Sequence, residues 1–143
     1  MKIGILADTH DNIAAIHKAV SFFNAQDIKY VIHAGDYVAP FSLKELMKLK
    51  AKFIGVFGNN DGERRGLSDV CKNIHEPPYD LLLNGKHIMV THMLESLSKR
   101  SKKIQISLSA PIRMSLRLKR GALCMSILVS AARGYLERVP LQC

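Results

Sequence analysis

Three apolar runs, each broken off by a short polar motif, constrain this chain more than any other feature. Residues 2–7 run into Asp8-Thr9-His10, residues 30–33 into Gly35-Asp36, and residues 52–57 into Gly58-Asn59-Asn60-Asp61. A fourth run at 87–91 closes on Thr91-His92. Such short runs, bounded by turn residues, fit buried strands. Between the first three lie apolar residues at helical spacing: Ile13, Ile16, Ala19, Val20 and Phe23 behind a cap at Asn12, then Leu43, Leu46, Met47 and Leu49 behind a cap at Ser42. A short helix is predicted at 67–71, and strands at 81–83 and 87–91 around the turn Asn84-Gly85. The order is βαβαβ followed by a hairpin, which predicts an α/β layered domain with a mainly parallel sheet. Ligands of such sheets gather at the carboxyl ends of the strands. Asp8, His10, Asp36, Asn59 and His92 are all expected at one such edge.

Each motif alone is also what an ordinary turn looks like, since Asp, Asn and Gly favour turns. Their succession at four strand ends points to a metal site instead. Asp8 and His10, two residues apart, can face one cation, and Asp36 can offer an oxygen to each of two. Asn59 adds an amide oxygen and His92 an imidazole. Mixed carboxylate, amide and imidazole donors suit manganese, iron or zinc rather than a thiolate site. Two such ions about 3.5–4 Å apart would clamp a phosphate and activate a bridging water. His17, His75 and His87 read as structural or solvent-facing, and His33 as a neighbour of the ligands rather than one of them.

The series Asp8-Thr9-His10, Gly35-Asp36, Gly58-Asn59-Asn60-Asp61 and Thr91-His92 resembles the calcineurin-like metallophosphoesterases, in particular the small prokaryotic phosphodiesterases. The resemblance implies that Asp8 and His10 bind the first metal, Asp36 bridges both, and Asn59 and His92 bind the second. It implies two divalent ions, manganese first, with iron, zinc or nickel as alternatives. A hydroxide bridging them would hydrolyse a small phosphate ester or nucleotide. Asp36 and Asn60 then stand nearest the chemistry. Asn60 takes the place of a histidine found in many relatives; it can donate a hydrogen bond to phosphate but cannot act as a general acid. Asp61 would orient its neighbours.

The chain changes character at His92. It has 143 residues and a net charge of +9, yet residues 1–92 carry only +1 and residues 93–143 carry +8. All six histidines lie at or before His92. We therefore read residues 1–92 as the phosphoesterase core and 93–143 as an anomalous basic segment, leaving the C-terminal second sheet incomplete or altered. Within it, 94–103 reads as a basic helix, 104–118 as a weak alternation broken at Pro111, and 122–132 as an apolar helical run. The resemblance calls for two more histidines there, one per metal, and for a glycine where Met93 stands. Divergence of the tail to a new role would account for their loss, and so would a frame-shifted reading of the gene. Pairing each codon's third base with the next codon's first two lets 111–114 encode His-Thr-His and 125–130 encode Val-Asn-Pro-Gly-Glu.

The rival reading is a degenerate, non-catalytic domain whose basic tail binds nucleic acid, which the near-absence of aromatics apart from Tyr135 disfavours. A plain α/β fold with polar strand ends is the third. Cys71, Cys124 and Cys143 are few and unpatterned, which fits a reducing cytoplasm. No apolar stretch is long enough to span a membrane. A sheet edge left unpaired would favour homo-oligomers.

Overall fold

The computed structural model describes residues 2–26 and 28–93, together with two short strands at Ile127–Ser130 and Leu136–Arg138. Four strands, β1 (Lys2–Leu6), β2 (Ile28–His33), β3 (Lys52–Val56) and β4 (Ile74–His75), pair in parallel in the order β4-β3-β2-β1. Helices α1 (Ile13–Ala25), α2 (Pro40–Leu46) and α3 (Arg64–Val70) connect them. The hairpin strands β5 (Tyr79–Leu83) and β6 (Lys86–Val90) form a separate antiparallel sheet through the predicted Asn84-Gly85 turn. The expected α/β layering with a mainly parallel sheet and a hairpin is therefore observed.

Alternation along the strands explains the layers. Leu6, Val31 and Phe53 face the helices and pack with Ile16, Phe23, Leu43, Leu46 and Leu67. Ile32, Ile54 and Val56 face the other way and pack on Leu81, Leu83 and Val90 of the hairpin. The main sheet is thus covered by helices on one face and by the hairpin on the other.

Several elements differ from expectation for identifiable reasons. Asn12 caps α1 as predicted, its side chain accepting from the Ala15 N–H at 3.0 Å. Ser42 does not cap α2: Pro40 starts that helix, as its fixed φ favours. The Ser42 hydroxyl instead donates to the Ala39 carbonyl at 2.8 Å. The helix ends at Leu46, short of Leu49. The third helix begins at Arg64, three residues before the predicted 67. β4 was not predicted, because two residues carry no period.

Beyond residue 93, the helix expected across 122–132 is replaced in part by β7 (Ile127–Ser130), antiparallel to β1. It pairs in turn with β8 (Leu136–Arg138), so both strands extend the main sheet rather than the hairpin. The readings of 94–103, 104–118 and 111–114 fall outside the described residues. Among the described residues no helix is long and apolar enough to cross a membrane.

Candidate metal centre

Parallel strands deliver their C-terminal loops to one edge, and three of those loops meet there. The Asp8 N–H donates to the Gly35 carbonyl at 3.0 Å, His10 N–H to Asp36 at 3.1 Å and Asp11 N–H to Tyr37 at 3.2 Å. The loop after β1 is thereby laced to the loop after β2. Asp8, His10, Asp36 and Val38 all sit at positive φ, at 55°, 39°, 64° and 82°. Left-handed backbone at non-glycine residues, above all a β-branched one, is costly and persists only where surroundings enforce it, as at functional sites.

Two glycines allow the loops to touch. Gly35 has φ 102°, and a Cβ there would lie 2.7 Å from the Gly58 nitrogen. A Cβ on Gly58 would lie 2.1 Å from Asp36 Oδ1 and 2.5 Å from the Asp36 nitrogen. Gly58→Ala must therefore displace the Asp36 carboxylate. Loss of correct ligand support weakens a metal site roughly 10–100-fold, so if the cluster holds Mn²⁺ a fall of that size is expected by calorimetry. Unchanged affinity in a folded variant would refute this placement.

The side chains converge on Asp36, which is 2% exposed. Its Oδ2 lies 3.4 Å from His10 Nε2 and 3.4 Å from His92 Nε2. Asp8 Oδ1 flanks His10 Nε2 at 3.6 Å, and Asp8, His10 and Asp36 place one donor atom each within 4.8 Å of the others. On the other side, Asn59 Oδ1 is 2.8 Å from His92 Nε2. All five predicted ligands are therefore brought together. His92 follows β6 of the expected hairpin, and because that hairpin packs on the parallel sheet as a second layer, His92 reaches the cluster from there.

The donor set fits a divalent cation. His92 Nδ1 lies 3.0 Å from the Ala34 carbonyl and must donate to it, leaving the Nε2 lone pair facing Asn59 Oδ1 and Asp36 Oδ2. A backbone carbonyl that fixes the tautomer in this way is the usual partner of a ligating imidazole. The Nε2 lone pair and the two oxygens thus converge on one point, as ligands of a cation do. Asn60 supports the same carboxylate: its N–H donates to Asp36 Oδ1 at 2.9 Å and its amide Nδ2 to Oδ2 at 2.7 Å.

Three buried residues lie behind the cluster; the sequence points to Asp61 as an orienter and to His33 as a neighbour of the ligands, and misses Thr9. The buried Asp61 carboxylate accepts four backbone N–H groups, from Asp36, Tyr37, Val38 and Gly58. His33 and Thr9, also buried, share a hydrogen bond of 3.1 Å. Thr9 carried no distinguishing signal beyond lying between Asp8 and His10. His17 is exposed and hydrogen-bonded to Glu45, and His75 stacks on Tyr79 at 3.8 Å.

Burial, with smaller contributions from His92 and His10, pushes the His33 pKa down from 6.5 to about 3. In the unfolded chain His33 takes up a proton below about pH 6.5, while the folded chain does not. Stability is therefore lost as pH falls from about 6.5 toward 3, by roughly 3 kcal/mol by pH 4 at about 1.4 kcal/mol per pH unit. Urea melts between pH 7 and 4 should show a steeper loss for the native chain than for His33→Gln, whose side chain does not titrate. Parallel curves would contradict it.

The match to known proteins agrees with this geometry. The Calcineurin-like phosphoesterase superfamily domain matches residues 1–111, and the chain belongs to that family. Among its relatives, the phosphodiesterase MJ0936 of Methanocaldococcus jannaschii is 49% identical over 76 residues, which are 53% of this chain and 46% of that protein. The chain thus spans about half the length of the curated relative it matches. A solved archaeal phosphodiesterase superposes with a TM-score of 0.66 at 35% identity, covering 74% of this chain and 68% of its own. Yfce, a phosphoesterase from E. coli, shares the fold at a TM-score of 0.51 and 20% identity, over 66% of this chain and 59% of its own.

Proposed function

We propose that this chain is a metal-dependent hydrolase of phosphate esters, in particular of phosphodiesters, whose clustered donors hold two divalent ions. The observation that carries the reading is the position of Asp36 Oδ2, 3.4 Å from each of two imidazole nitrogens that belong to different layers. Asp8, His10 and Asp36 would hold one ion, and Asp36, Asn59 and His92 the other. Manganese suits this set first, with iron, zinc or nickel as alternatives. Ions bound there would supply Lewis-acid charge to phosphate oxygens and a nucleophilic water near neutral pH. The protein's own contribution is to fix the donors. Ala34 orients His92, and Asp61 and Asn60 orient the loop and carboxylate of Asp36. His10 and Asn60 stay open to solvent, so a small phosphate ester or nucleotide can approach from that side.

Each ion would have three of these donors, and residues 93–143 hold no histidine to add a fourth. Loss even of the partners behind a ligand can weaken metal binding roughly 10–100-fold, so affinity below that of a fully ligated site is expected. That shortage and the +8 charge of residues 93–143 favour one second reading, a non-catalytic domain with a basic, nucleic-acid-binding tail. Chelator-treated protein should bind Mn²⁺ and then hydrolyse a chromogenic phosphodiester. No binding and no turnover with manganese, iron, zinc or nickel, together with salt-sensitive binding of nucleic acid, would replace the first reading by the second. The gene sequence tests the frame-shift: codons 111–114 that cannot read His-Thr-His in the shifted frame exclude it.

A further inference from the structure

We propose that His33 is a positioning residue whose imidazole ties the loop carrying Asp8 and His10 to the loop carrying Asp36. Its two ring nitrogens reach the two loops separately. The Gly35 N–H donates to Nδ1 at 3.1 Å, immediately before Asp36. That bond leaves Nδ1 without a proton, so Nε2 carries the hydrogen and donates to Thr9 Oγ1 at 3.1 Å, between Asp8 and His10. The ring is completely buried and Thr9 is 2% exposed, so neither group has water as a substitute partner. Tyr37 stacks on the ring with centroids 4.1 Å apart, and its hydroxyl donates to the His33 carbonyl at 3.4 Å. Both loops hold non-glycine residues at positive φ. A cross-link between them resists the relaxation that such backbone favours.

Only the consequence for cation affinity rests on the metal-binding reading; the brace itself does not require an ion. Thr9→Val tests it, because it removes the hydroxyl at nearly constant volume. A buried donor left unpaired is costly. Native-state hydrogen exchange of the full chain should therefore quicken about tenfold or more at the amides of Asp8, His10 and Asp11. The amides of Met47 and Cys71, bonded within α2 and at the end of α3, should stay within twofold. Thr9→Ser, which keeps the hydroxyl, should restore slow exchange. Where the native chain binds Mn²⁺, Thr9→Val should weaken that binding by a similar factor.

Exchange unchanged at Asp8, His10 and Asp11 in Thr9→Val overturns the proposal. So does equal acceleration at Met47 and Cys71, which would mean general destabilisation. If the native chain binds no Mn²⁺, the metal reading fails while the exchange result still decides the brace. Should Thr9→Val not fold, Thr9→Ala carries the same outcomes.

Discussion

Asp36→Asn is expected to abolish phosphodiester hydrolysis and to weaken Mn²⁺ binding by about 10³-fold or more, while leaving the fold in place. The size of the effect follows from what Oδ2 faces. It lies 3.4 Å from both His10 Nε2 and His92 Nε2 and accepts from Asn60 Nδ2 at 2.7 Å. Substitution by an amide removes a buried negative charge from the centre of the cluster. It also leaves one oxygen where two were available. The backbone N–H of Asn60 claims an oxygen at the Oδ1 position, so the new NH₂ falls on the side that faces both imidazoles and the Asn60 amide N–H. Removal of one partner behind a metal ligand already costs roughly 10–100-fold, and a donor shared by two ions should cost more. Calorimetric titration with Mn²⁺ and turnover of a chromogenic phosphodiester read the two effects separately. Retention of a tenth of the native turnover would remove Asp36 from the centre of the proposed chemistry.

The residues of this cluster were legible because strand ends are legible. A short apolar run followed by Asp, Asn or His marks both where the sheet stops and which side chains stand at its edge. Asp8, Asp36 and Asn59 were placed by that logic. His92 was read at the end of a hairpin strand, as observed. Its strand reads like the others, and only packing of Leu81, Leu83 and Val90 against Ile32, Ile54 and Val56 puts it in a second layer. Pattern along one chain does not reveal which sheet an apolar strand joins.

The support behind the cluster was legible in part: Asp61 and His33 read as neighbours of the ligands, while Thr9 did not. His33 reaches Thr9 because Leu6 and His33 are register partners in β1 and β2, a pairing no local motif encodes. The segment 127–130, Ile-Leu-Val-Ser, has no period that separates strand from helix. Its pairing with β1 is a tertiary outcome. Ser42 misled in another way: Ser is a common helix cap, yet Pro40 two residues earlier had already set the helical φ.

Asp61→Asn should be nearly as destabilising as Asp61→Ala, with both losing about 4 kcal/mol. Asp61 Oδ1 accepts from the N–H groups of Tyr37 and Val38 at 2.7 and 2.9 Å, and Oδ2 from those of Asp36 and Gly58 at 3.0 and 2.7 Å. Hydrogen bonds to a charged group contribute roughly 1.5–3 kcal/mol each. Four that share one carboxylate will not add fully. Their combined loss is still a large fraction of a typical domain stability of about 5–15 kcal/mol. Asparagine does not rescue the site, because one end of its amide is itself a donor and would face two N–H groups. Asp61 is 2% exposed, so water cannot readily replace the lost acceptor. The Asp69–Lys72 pair supplies the contrast, since both side chains are largely exposed and their bond of 3.0 Å lies at the surface. Asp69→Asn should change stability by less than about 1 kcal/mol. Urea denaturation of the three variants decides the matter. An Asp61→Asn protein within 1 kcal/mol of the native chain would show that the loop after β2 keeps its left-handed turns without the carboxylate, and that the support must be sought in the Thr9–His33 contact instead.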